Sequence, residues 1–319
     1  MTQDEIADSH VRMKYFQGFD YLRIVLCIFI VGWHIKILGW ADTFINPASS
    51  VVLPTIADII YADLFLVAVP LFFLISTFLY IANRKNKTGY FRKRLFYLIL
   101  VYIFWFIIFS FVFSDGLKYT YIFSPIYIMT GAGSVGYFLF SLIILVVITE
   151  SMYVLQNILD ARQFLSLTAL SLFISCSLLI IRVPLSHAAG TLGVYFLGFW
   201  SPVNFLAYPF IAFLLMTAYD EKWTTRLRWK HYFGMASLIV ILIAAEWWLL
   251  PDKINPVDGM SIAPYARLSV VVSSILVFLL FVQIQRETPP IIKVFSELTM
   301  GIFLLHSIII FKLPEISSF

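Results

Sequence analysis

Two side chains able to do chemistry stand inside the first long apolar run, FDYLRIVLCIFIVGWHIKILGW: the guanidinium of Arg23 and the imidazole of His34. At about 100° per residue, the eleven steps between them come to about 1100°, or three turns plus roughly 20°. Both therefore lie on nearly the same face of a helix, about 16 Å apart along its axis. Lipid solvates neither group, so such residues turn toward a protein interior or a water-filled cavity. An imidazole suits general-base work near neutral pH. A guanidinium four residues into the run binds phosphate or a polarised oxygen. The plainer alternatives are a helix-packing histidine hydrogen-bonded to a neighbour and an arginine snorkelling to lipid headgroups.

The elements that must position this stripe follow from composition. Of the 319 residues, 61% are hydrophobic and only 13% charged, against about 25% charged in a soluble domain. Apolar runs near 20 residues recur along the whole length, which marks an all-α, polytopic membrane protein. Nine spans are predicted, at about 19–40, 59–82, 94–113, 135–157, 164–182, 203–219, 232–250, 264–285 and 294–313. The stretches 117–133 and 187–202 fit an outer loop, an interfacial helix or a re-entrant piece, and a tenth full span is the alternative. The polar N-terminus up to Asp20 followed by a run long enough to span argues against a cleavable signal peptide. Residues 1–18 form an N-terminal segment, 19–313 one integral membrane domain and 314–319 a short tail.

Charge sets the expected orientation. Arg84, Lys85, Lys87, Arg92, Lys93 and Arg94 follow span 2, Arg162 follows span 4, and Lys222, Arg226, Arg228 and Lys230 follow span 6. Arg286 and Lys293 follow span 8. All fall on one side with Arg12 and Lys14, while 41–58 has no lysine or arginine. The positive-inside rule then places the N-terminus in the cytoplasm. The net charge of +4 is a matter of topology and not of nucleic-acid binding. Neither metal-ligand spacing nor a disulfide framework is visible around Cys27 and Cys176.

Further candidates lie at helical depth. His306 is about 18 Å into the last span and His34 about 22 Å into the first, so the two imidazoles can face one cavity or pack independently. Asp63, near the outer start of span 2, can orient His34 or simply complement a helix dipole. Ser76 suits close helix packing. Glu150, Glu246, Arg182 and Arg267 sit near predicted span ends and read as mostly interfacial.

Five stretches together resemble the acyltransferase-3 family of integral membrane acyltransferases. They are the stripe from Arg23 to His34 introduced by FDYLR, VPLFFLISTFLY (69–80) with Pro70, Phe72, Phe73 and Ser76, the basic FRKRLFYLILVY (91–102), GYFLFSLI (136–143) and MGIFLLHSIII (300–310). Thr77 stands where the family usually has glycine, Tyr97 and Leu100 where it often has arginine and proline, and Tyr137 where it has tryptophan. The family usually continues into a tenth helix after the late histidine, which this chain is expected to lack.

The resemblance implies an O-acyltransferase of the plasma (inner) membrane with acetyl-CoA as cytoplasmic donor substrate and no bound cofactor. It implies a hydroxyl of a cell-surface carbohydrate, or its lipid-linked precursor, as acceptor. His34 and Arg23 become the candidate catalytic residues. Arg92, Lys93, Arg94, Ser76, His306 and Asp63 become candidates for binding acyl-CoA or substrate, the first three because a basic patch attracts CoA phosphates. Two rivals remain. A transporter or flippase would use the same charges to bind cargo or relay protons, although the inverted repeats common in transporters are not evident. An inactive, truncated relative would keep only the scaffold.

Overall fold

The computed structural model describes residues 16–35, 59–113, 124–133, 135–249 and 264–316, and among them every regular element is helical. The long helices are α1 (Gly18–Ile35), α2 (Ala68–Arg84), α3 (Tyr90–Phe113), α4 (Tyr137–Ile158), α5 (Ala161–Ala188), α6 (Ala207–Asp220), α7 (Trp229–Leu249), α8 (Leu268–Val282) and α9 (Pro290–Ile316). Each predicted span coincides with one of them. Among the described residues, seven helical segments are long and apolar enough to cross a membrane. α8 falls short at 15 residues, about 22 Å against a hydrocarbon core of about 30 Å. It is short because Arg267, its extended N-cap, ends the helix where a charge must be held. Residues 187–202 do not span: α5 runs on to Ala188, and short turns with a four-residue helix, Val194–Leu197, follow. Within 117–133, the described part holds only the five-residue helix Pro125–Met129.

Local sequence explains the ends of these helices. Asp160 Oδ1 accepts from the amides of Arg162 and Gln163, both at 2.9 Å, and Gln163 Oε1 accepts from the Asp160 amide at 3.3 Å. This reciprocal cap opens α5. Ser201 caps the turn Pro202–Phe205 that leads into α6, its hydroxyl accepting from the Val203 amide, with proline where no amide hydrogen is required. Inside the bundle, Thr77, Thr149 and Ser274 donate their hydroxyls to carbonyls three or four residues back. Small polar residues thereby sit in an apolar interior without an unmet hydrogen bond.

α2 is the central helix. It packs against α1, α4, α6 and α8, and Phe73, Leu74, Phe78 and Ile81 on it are fully buried. That fits a run apolar on every side. Pro70 lies in its first turn, where the missing amide breaks no helical bond. The chain reaches α2 through a π-helical turn, Ile60–Leu64, and a 3-10 turn, Phe65–Val67. α3 is the opposite case: Phe96, Tyr97, Ile103, Phe104 and Phe111 are exposed, as a lipid-facing helix requires.

Polar links gather the basic ends of the helices at one end of the bundle. Lys85 pairs with Asp220 at 2.6 Å. Gln283 Nε2 donates to the Thr224 carbonyl at 3.0 Å and also meets the Tyr232 hydroxyl. Thr288 Oγ1 donates to the Gln17 carbonyl at 3.3 Å. This end is called the basic end below.

Candidate active site

α1 and α9 run parallel and side by side from the basic end. Gly18 permits the neighbouring close approach of α1 to α8, because a methyl group there would collide with the Phe281 backbone carbonyl. Three rungs join α1 to α9. At the first, Ser296 Oγ donates to Asp20 Oδ1 at 2.7 Å, and Arg23 Nη1 reaches Ser296 Oγ at 3.4 Å and Asp20 Oδ1 at 3.8 Å. At the second, Cys27 Sγ lies 3.6 Å from the Thr299 carbonyl. At the third, the rings of His34 and His306 meet at a tilt, with centroids 4.8 Å apart and planes at 41°. The two histidines expected at similar depth on separate helices do face each other.

Arg23 also borders a cavity of about 280 Å³ whose wall includes Ser76 of α2, Arg94 of α3 and Ser296 of α9. Three sequence candidates from three helices, Arg23, Ser76 and Arg94, thus converge. Arg92 and Lys93 do not line it and are exposed. Consecutive helical residues point about 100° apart, so a run of three basic residues cannot aim all its charges at one space.

The cavity has a polar mouth and an aromatic end. On α9 its lining runs from Ser296 to Phe303, and on α3 from Arg94 to Val101, each about 10 Å of helix. Phe72, Phe138 and Phe303 close the far end. Phe138 lies 4.6 Å from Phe303 and is stacked on Phe73 behind it, also at 4.6 Å. Phe303 also contacts His306, with centroids 5.6 Å apart. The same phenyl ring therefore belongs to the cavity wall and touches the histidine pair.

His306 is 4% exposed. Its Nδ1 faces the Phe303 carbonyl, and among the described residues its Nε2 has no hydrogen-bond partner. A carbonyl can only accept, so Nδ1 carries the hydrogen, and in the neutral ring Nε2 then presents a bare lone pair. That is the form in which an imidazole takes up a proton.

Asp63 lies elsewhere. It forms a buried ion pair with Arg267, which also donates from Nε to Glu246 Oε2 at 3.1 Å. Ser269 Oγ bridges the two carboxylates, 3.3 Å from Asp63 Oδ1 and 2.5 Å from Glu246 Oε2, and the Ser269 amide donates to Glu246 Oε1 at 3.0 Å. Arg267 and Glu246, which read from sequence as interfacial, are a closed network joining the entry to α2, α7 and α8. Glu150 likewise is held by Arg84 at 3.0 Å and by the Tyr80 hydroxyl at 2.7 Å. The side chain of Arg182 lies outside the described residues. Asp20 is the site residue that sequence reasoning passed over. Its signal was its place three residues before Arg23 on the same face.

A family described as an acyltransferase domain, acyltransferase-3, matches residues 16–313. The chain belongs to the acyltransferase-3 family. Among curated proteins and solved structures, nothing matches it. Membership makes this all-helical protein a membrane acyltransferase, and the match covers all the helices that carry the stripe, the cavity and the histidine pair. In this acyltransferase the first and last of the described helices together build the centre of the candidate site.

Proposed function

We propose that the protein is an O-acyltransferase that carries an acetyl group from cytoplasmic acetyl-CoA to a hydroxyl of a cell-surface carbohydrate or its lipid-linked precursor. The observation that carries this reading is an arginine-bearing cavity whose wall shares Phe303 with a histidine pair, buried at His306 and half-buried at His34. Arg23 and Arg94 at the basic end attract the phosphate-rich donor, and Asp20 and Ser296 hold Arg23 in place. The cavity leads the thioester toward His34 and His306. Imidazole takes the acceptor's proton as the hydroxyl oxygen attacks the thioester carbonyl. The carbon–sulfur bond breaks, a carbon–oxygen ester bond forms, and the proton passes to the departing thiolate to give CoA. The basic end faces the cytoplasm of the inner membrane, following the distribution of lysine and arginine.

The test is carbon-labelled acetyl-CoA supplied to membranes with and without the protein. Label appearing in envelope glycan as an alkali-labile ester, lost with His34→Ala, is the expected result. Glycan that carries no label, or label independent of the protein, overturns the reading. External thiol labelling of cysteines placed at Lys87 and Lys230 should fail, and strong labelling there overturns the orientation.

A further inference from the structure

The aromatic end of the cavity is unusual in how firmly it is built. Phe138 is 1% exposed and held between Phe73 and Phe303, each 4.6 Å away. Phe72 closes the third side, 6.3 Å from Phe138 and 6.4 Å from Phe303. Phe303 is 4% exposed and contacts His306, with centroids 5.6 Å apart. Polar groups crowd the mouth, and among the described residues no polar side chain lines the far end: Phe72, Val101, Phe138, Leu139 and Phe303 make the terminus. A ligand bound by its charge at the mouth meets this wall with its other end.

Resting on the assignment of this cavity to the acyl-CoA donor, we infer that Phe303, backed by Phe72 and Phe138, sets the length of the acyl group the enzyme accepts. The wall leaves a short acyl group against the ring that borders the histidine pair. Each further methylene has to displace a packed aromatic side chain, and close-packed interiors yield poorly to added volume. One methylene beyond what a pocket accommodates typically costs about 10- to 200-fold in discrimination. Phe303 is the decisive ring because it touches both the donor space and His306. Phe138 cannot move without unstacking from Phe73.

The experiment measures binding of CoA, acetyl-CoA and butyryl-CoA to the full chain in lipid nanodiscs, with empty nanodiscs subtracted and CoA calibrating each preparation. The wild type should bind acetyl-CoA at least about 10-fold more tightly than butyryl-CoA, the low end of the cost of misfit methylenes. Phe303→Leu should shrink that ratio by about 10-fold, and Phe303→Ala should invert it. Phe72→Leu, on a different helix, gives the same direction if the α9 variants fail to insert. A wild-type protein that binds both thioesters equally, or a preference unchanged in Phe303→Leu and Phe72→Leu, overturns the inference while leaving the donor site intact. A wild type that binds neither thioester nor CoA overturns the donor assignment itself.

Discussion

Two of the arginines that sit in the bundle beside carboxylates have opposite surroundings. Arg267 is 2% exposed in its side chain and is enclosed by Asp63, Glu246 and Ser269. Arg23, with Asp20 and Ser296, is 29% exposed and borders an open cavity. In the first cluster the charges hold protein elements together. In the second, the buried carboxylate steadies a guanidinium that borders an open space. A charge in an apolar bundle is thus not by itself a sign of chemistry; the space in front of it is what distinguishes the two cases.

Mutations can break this comparison or sharpen it. The largest expected effect is on activity, along the stripe that carries Arg23: His34→Ala should lower acyl transfer by about 10²- to 10⁴-fold with normal membrane levels of protein. A fully active variant would remove His34 from the chemistry. Next, Arg267→Met should act through folding, because it strands the buried carboxylate of Asp63 and the part-buried one of Glu246, at a cost of about 3–5 kcal/mol. The measurement is resistance to thermal unfolding in detergent, and adding Asp63→Asn and Glu246→Gln should recover much of the loss. If Arg267→Met is stable yet inactive, the closed cluster belongs to the site after all.

Arg23→Ala should weaken donor binding by roughly 10- to 150-fold, since a hydrogen bond to a charged group is worth about 1.5–3 kcal/mol. Arg23→Lys should restore little of it, because an ammonium lacks the planar fork. The smallest contrast lies within the basic run. Arg94→Gln should raise the apparent KM for acetyl-CoA, whereas Arg92→Gln, whose charge is exposed and away from the cavity, should change it less than about twofold, as screened surface charges usually do. Equal effects of the two would mean that the run acts as a diffuse field and not through one aimed side chain.

The same contrast explains what could be read from sequence. The nine helices were legible because apolar run length reports directly on the solvent that a segment needs. The stripe from Arg23 to His34 was legible because helical periodicity fixes which residues share a face. Periodicity does not say which helix lies opposite, so the pairing of α1 with α9 and the contact of His34 with His306 emerge only from packing. Counting charges located Arg92, Lys93 and Arg94 but not the single one that turns inward. Arg267 and Glu246 read as interfacial because they stand at span ends. Here the entry to α2 folds over those ends, and Asp63 meets Arg267 there.

The rung between Arg23 and Ser296 joins residues 273 positions apart. A ribosome adding about 5–20 residues per second needs roughly 15–55 s to travel between them. For that time the newly inserted α1 carries a carboxylate and a guanidinium into lipid with α9 still unmade. Their spacing, three residues apart with atoms 3.8 Å from each other in the finished protein, lets each shield the other during the wait. The histidine pair cannot exist until residue 306 has left the ribosome. A nascent chain is therefore inserted long before the pair can form, and premature termination anywhere before α9 leaves a membrane protein without it.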